Sequence, residues 1–183
     1  MSRHFYVYSD GSFNKTKGIG VGGYLIFDNE ADHTTQNRDV AVFTIEPIQE
    51  TNNIRVELAA AIRALIATHR LIRAQSPEST DDVVVDLFTD STAVASLPGR
   101  RAGLEATGYL GKRKGIVLAC ADLYADFYEM QDKLNLSVHQ VRGHVPNAQR
   151  SSIERHFSVV DKAVRKALRD SVRDLRRRRG AMG

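Results

Sequence analysis

The chain has 183 residues, 42% hydrophobic and 26% charged, enough for one soluble domain around a single sizeable core. No run approaches the roughly 18–20 consecutive apolar residues that span a bilayer, and Met1-Ser2-Arg3-His4-Phe5-Tyr6-Val7 enters an apolar alternation without a signal-peptide core. The lone Cys120 excludes an intramolecular disulfide and a Cys-rich zinc site, and points to a reducing, cytoplasmic setting. The net charge of +4 is unevenly spread: residues 162–179 carry nine basic and two acidic side chains, a local +7, which leaves −3 for the remainder. A basic arm on a mildly acidic body suits a polyanion, and equally a solvated helix end.

His4 to Tyr8 reads as a short strand that ends in Ser9-Asp10-Gly11-Ser12, a turn composition. Gly18 to Phe27 is a second strand and Val40 to Ile45 a third, giving an antiparallel meander. The period then changes. From Ile54 to Arg73, Leu58, Ala61, Ile62, Leu65, Ile66 and Leu71 recur at helical spacing, with Asn52 or Asn53 as amino-terminal cap. Val83 to Phe88 is an apolar, central strand. A short helix to Leu97 follows, stopped by Pro98-Gly99, and Arg100 to Gly115 reads as a basic loop or protrusion. Ile116 to Leu134 is helical, Leu136 to Val141 is a fifth strand, Arg142 to Ser152 a loop, and Ile153 to Leu175 a last helix.

The order β-β-β-α-β-α-α-β-α predicts an α/β fold with a mixed five-stranded sheet flanked by helices. A helical crossover after strand three lets strand four lie parallel to strand one, beside it. The carboxy ends of these two strands then share the edge where sites form in open sheets.

Asp10 and Asp90 stand at those two strand ends, and Glu57 lies on the first turn of the first helix. Converging carboxylates repel one another unless cations neutralise them. An oxygen-only donor set suits Mg²⁺ or Mn²⁺. Two such ions about 4 Å apart activate a water and stabilise a leaving oxygen in phosphodiester hydrolysis. Taken singly, each acid has an ordinary reading: Asp10 a turn residue, Glu57 a first-turn helix acid, Asp90 a cap. Gly18-Ile19-Gly20-Val21-Gly22-Gly23 lacks the Gly-Lys-Ser/Thr ending of a phosphate loop and lies in a strand.

Five segments in order, Tyr8-Ser9-Asp10-Gly11-Ser12, Asn53-Ile54-Arg55-Val56-Glu57-Leu58-Ala59-Ala60, Leu87-Phe88-Thr89-Asp90-Ser91, Val141-Arg142-Gly143-His144 and Val159-Val160-Asp161-Lys162-Ala163-Val164, resemble the motifs of type I ribonuclease H. The resemblance spans Phe5 to Leu168 and implies the ribonuclease H-like sheet order 3-2-1-4-5. It divides the chain into a domain, residues 1–170, and a basic, partly disordered tail, residues 171–183. By the same resemblance Asp10 touches both of two Mg²⁺ ions (Mn²⁺ a possible substitute), Glu57 and Asp90 complete one metal site, and Asp161 the other. His144 helps protons or product leave. Glu154, nearer to His144, competes with Asp161 as last ligand.

The implied partner is an RNA–DNA hybrid, and the implied activity is endonucleolytic cleavage of its RNA strand to 5′-phosphate and 3′-hydroxyl ends, by a monomer. Gly11, Ser12, Asn52 and Asn53 would face the substrate strands, and Arg100, Arg101, Lys112, Arg113 and Lys114 would hold phosphates. The sequence departs from the family pattern at Ile54, commonly a polar minor-groove reader, at Phe157, commonly Asn, and in having no tryptophan. These departures bear on substrate grip more than on chemistry. A non-catalytic binding module of the same fold, a related nuclease with another duplex preference, and a detached reverse-transcriptase domain are the competing readings.

Overall fold

Strand alternation begins at Arg3 and, contrary to the sequence expectation, does not stop at Tyr8. The computed structural model describes residues 3–28, 40–45, 52–75, 83–111, 115–142 and 146–180. In it β1 spans Arg3–Asn14. Ser9-Asp10-Gly11-Ser12 is strand, because Ile19–Asp28, which forms β2, pairs with it residue for residue: Asp10 lies opposite Gly23, Gly11 opposite Gly22 and Ser12 opposite Val21. The turn comes later, at residues 15–18, where Gly18 takes a positive φ of 65°.

The remaining strands are β3 (Ala41–Ile45), β4 (Val83–Thr89) and β5 (Asn135–Gln140). The sheet order is β3-β2-β1-β4-β5, as expected. β1 is antiparallel to β2 and parallel to β4, and β5 is parallel to β4. Two helices, α1 (Asn53–Gln75) and, further along the chain, α4 (Ala121–Lys133), share a core with Phe5, Val7, Val85 and Leu87 on one face. The last helix, α5 (Ser152–Gly180), covers Tyr8, Val21, Phe27 and Phe88 on the other.

Glycines set how closely the helices approach. A Cβ on Gly20 would lie 2.6 Å from Val56 Cγ2, and one on Gly11 only 2.7–2.8 Å from the backbone of Val56 and Glu57. α1 is therefore seated directly on β1 and β2, which is the use of the Gly-rich start of β2. On the opposite face a Cβ on Gly23 would meet Val164 of α5 at 2.6 Å.

The region after β4 also differs from expectation. α2 (Thr92–Ala95) is followed at once by α3 (Leu97–Ala106), so Arg100 and Arg101 stand on a helix. Pro98 sits in the first turn of α3, where its missing N–H costs nothing, and so starts this helix instead of stopping the previous one. Leu97 and Leu104 anchor α3 in the core. Residues 112–114 lie outside the described residues. α4 starts at Ala121, five residues after the expected Ile116, with the buried Cys120 at its cap position. α5 continues without a break past residue 170, because Val172 and Leu175 prolong its apolar stripe onto the core. Among the described residues no helix is long and apolar enough to cross a membrane.

Candidate active site

Parallel pairing puts Tyr8 beside Phe88, so Asp10 and Asp90, each two residues further on, lie at the same edge of the sheet. Asp10 is 7% exposed, and the ordinary turn reading fails because it is a strand residue. Burial, then the charge of Asp90, then Asp161 and Glu57, push its carboxyl up to about 7. The Gly11 N–H, donating to Asp10 Oδ1 at 2.8 Å, opposes the rise. Four carboxylates from β1, α1, the end of β4 and α5 thus share one electrostatic neighbourhood.

Glu57 reaches this neighbourhood because Asn52 caps α1: the Arg55 N–H donates to Asn52 Oδ1 at 2.9 Å. The helix starts at Asn53, so Glu57 lies past the first turn, where a helix-dipole role is weak. Burial raises its pKa first, a hydrogen bond from Ser91 lowers it, and Asp90 raises it. Asn53 Nδ2 also donates to Glu57 Oε1. Asp90 is not the cap of α2. Ser91 is, its Oγ accepting from Val94 N at 3.3 Å.

Asp161 is a half-buried residue of α5, paired with Arg165 Nε at 2.5 Å. Glu154 is used differently: its Oε2 accepts from Ser151 N at 2.7 Å and from Ser151 Oγ at 3.0 Å, closing the start of α5 as in a capping box. Asp161, and not Glu154, is among the carboxylates whose charge reaches Asp10. His144 and Gly143 lie outside the described residues.

The expected substrate contacts divide. Gly11 is committed to the close approach of α1, and Ser12 stays partly exposed on the face of β1 that carries Asp10. Asn52 is engaged as cap and Asn53 with Glu57. Arg100 lies over the Tyr124 ring at 5.8 Å. Arg101 is held by Asp132, with Nη2 to Oδ2 at 2.8 Å, and by Glu105 at 2.8 Å, a structural clamp between α3 and α4. Lys112, Arg113 and Lys114 are outside the described residues.

The donor set fits a hard divalent cation: four carboxylates, with no thiolate or imidazole among the described members. As they stand, no three His, Cys, Asp or Glu side chains among the described residues form a ligand cluster. Glu57 is turned to Asn53 and Ser91, and Asp161 to Arg165. Sequence reading missed both Ser91 and Arg165 as partners of the acids. The Asp161 to Arg165 spacing of four residues was a usable signal for the second.

A strand order of β3-β2-β1-β4-β5 with an acid within β1 beside one just past the end of β4, and acids on helices from both faces, defines an α/β nuclease architecture. The family model for RNase H matches residues 2–169, and the chain belongs to that family. Among solved structures, the chain is similar to the N-terminal RNase H domain of a Mycobacterium tuberculosis protein, at 18% identity and TM-score 0.58, over 94% of this chain and 98% of that one. It is also similar to LC9-RNase H1, a type 1 RNase H with the type 2 active-site motif, at 19% identity and TM-score 0.63, over 91% and 72%. RNase H1 from the halophilic archaeon Halobacterium salinarum aligns at 18% identity and TM-score 0.53, over 91% and 98%. No curated protein sequence matches the chain.

Proposed function

We propose that this protein is a metal-dependent endonuclease that hydrolyses the RNA strand of RNA–DNA hybrids, leaving 5′-phosphate and 3′-hydroxyl ends. The observation that carries the reading is the buried Asp10 carboxyl with three further acids, from three other elements, close enough for their charge to reach it: burial first, then Asp90, Asp161 and Glu57, push it up to about 7. A fold has no structural reason to gather four repelling carboxylates at one sheet edge.

Asp10, Glu57, Asp90 and Asp161 would hold two Mg²⁺ ions, with Mn²⁺ a possible substitute. When bound, the ions supply activation of a water and neutralisation of charge on the leaving oxygen. The burial of Asp10 keeps bulk water from its carboxylate and fixes it in the strand. Asn52 and Gly11 position Glu57 by setting the start and seat of α1. Arg165 holds Asp161 ready beside the edge. His144 is assigned to proton or product release. Ser12, Asn53 and the Gly11 backbone are assigned to reading the RNA strand through its 2′-hydroxyls. Arg100 and the cluster Lys112, Arg113 and Lys114 are assigned to phosphates, without sequence preference. The chain would act as a monomer, and its single, buried Cys120 suits the cytoplasm.

The experiment compares Asp10→Asn, Asp161→Asn and Glu154→Gln on a labelled hybrid. Cleavage is expected to fall by at least ~10³-fold in the first two with hybrid binding retained, and to persist in the third. Retained cleavage in Asp10→Asn would overturn the proposal.

A further inference from the structure

α5 has a direction and a charged flank that the acid site does not use. The His156 ring lies 5.5 Å from the Tyr8 ring and 4.7 Å from the Phe27 ring, while Val164 packs against Gly23. Eight helical residues, ~12 Å, therefore run alongside the four strand residues, ~13 Å, from Phe27 to Gly23. The next eight bring Val172 level with Ile19, which pairs with Asn14 at the far end of β1. Val172 and Leu175 dock in the same apolar cluster as Ile19 and Val21, so this end of α5 is fixed on the core and is not a loose arm.

At 100° per residue, Arg165, Arg169 and Arg176 lie within about 80° of Asp161 around the helix axis, and ~6, ~12 and ~22 Å along it. All three are exposed. Arg165 answers Asp161, and Asp170 pairs with Lys166 at 3.0 Å and Arg173 at 2.8 Å. Among the described residues no carboxylate lies within ion-pair distance of Arg169, Arg176, Arg177 or Arg178. The charge of Arg169 reaches Asp170 without a direct ion pair, yet a solvated helix end would not need exposed cations in a row that starts at an active-site acid.

We infer that this arginine ridge of α5 is a phosphate track that grips the backbone of the duplex held at the acid site. Its ~22 Å reach spans on the order of six phosphates of one strand. It lies on the α5 face of the sheet, opposite the face that carries α1 and α4, and so widens the footprint away from Arg100. The inference rests on the hybrid being the substrate.

The test is binding of a labelled 18-base-pair RNA–DNA hybrid in EDTA, read by fluorescence anisotropy from about 50 to 300 mM salt, for wild type and Arg169→Gln/Arg176→Gln. The ridge predicts at least ~10-fold weaker binding near 150 mM salt in the double variant. It also predicts a log-affinity against log-salt slope shallower by about 2, since each lost phosphate contact removes ~0.9. In Mg²⁺ the variant should show a raised KM and an unchanged kcat, and circular dichroism should show the helix retained. Unchanged affinity and slope would overturn the ridge, as would failure of the wild type to bind the hybrid at all. Binding of phosphatidylserine vesicles lost in the variant, with hybrid binding unchanged, would make the ridge a membrane surface and overturn the inference too. Loss of hybrid binding in the variant, with a wild type that cuts no hybrid in Mg²⁺, would leave the ridge standing and remove the nuclease reading instead.

Discussion

Asp10 is in electrostatic conflict with its surroundings. Its carboxyl stands near 7 in the folded chain against an ordinary 3.8, with burial the first cause and Asp90 the second. A carboxyl raised on folding favours the native state fully below about pH 4 and withdraws that contribution as pH rises through about 7. The chelated protein is therefore expected to lose stability between pH 5 and pH 8. Asp10→Asn removes the conflict, so in EDTA at pH 8 its Tm should exceed that of the wild type, the two converging near pH 4. The ceiling on the gain is about 4 kcal/mol, for ~3 pH units at ~1.36 kcal/mol each. Glu57, also raised first by burial, acts in the same direction. If the four acids hold Mg²⁺ as proposed, its addition should reverse the order at pH 8, since ligand binding to the native state stabilises the wild type more than the Asn variant. A wild type whose stability in EDTA is flat from pH 5 to 8 would contradict this account. Thermal melts across that range read it directly.

The elements that place these acids were partly legible. β1 and β4, α1 and the sheet order follow from period and sequence of elements, and the structure agrees with them. The end of β1 was not legible, since Asp-Gly-Ser is turn-like by composition and only its pairing with glycines of β2 keeps it extended. α3 was hidden because a Pro-Gly pair reads as a stop, whereas Pro in a first turn is a start. Asp10, Glu57 and Asp90 were visible as acids at element ends. Asp161 took its place from its helix, and Glu154 could be set apart only once its bonds to Ser151 were seen. Two predictions belong here. Gly11→Ala forces a Cβ into the backbone of Val56 and Glu57 and should cost about 1–3 kcal/mol of stability together with most of the cleavage rate. Asn52→Ala removes the α1 cap and should cost about 1 kcal/mol in urea unfolding, with a smaller loss of rate. Equal behaviour of Gly11→Ala and wild type in both assays would mean that α1 is not seated as described.

For the whole molecule, charge and architecture divide the labour. Acids gather at one sheet edge while the +7 of residues 162–179 lies along a single helix face and end. Burial of a large apolar core on both sides of the sheet makes this edge rigid, which a site of four repelling groups requires. The most direct measurement is cleavage of four labelled duplexes or strands, RNA–DNA, RNA–RNA, DNA–DNA and single-stranded RNA, each with Mg²⁺, Mn²⁺ or EDTA. The account predicts cutting of the RNA strand of the hybrid alone, in either metal and not in EDTA. Tight binding of the hybrid without cutting of any substrate, or cutting that survives EDTA, would contradict it.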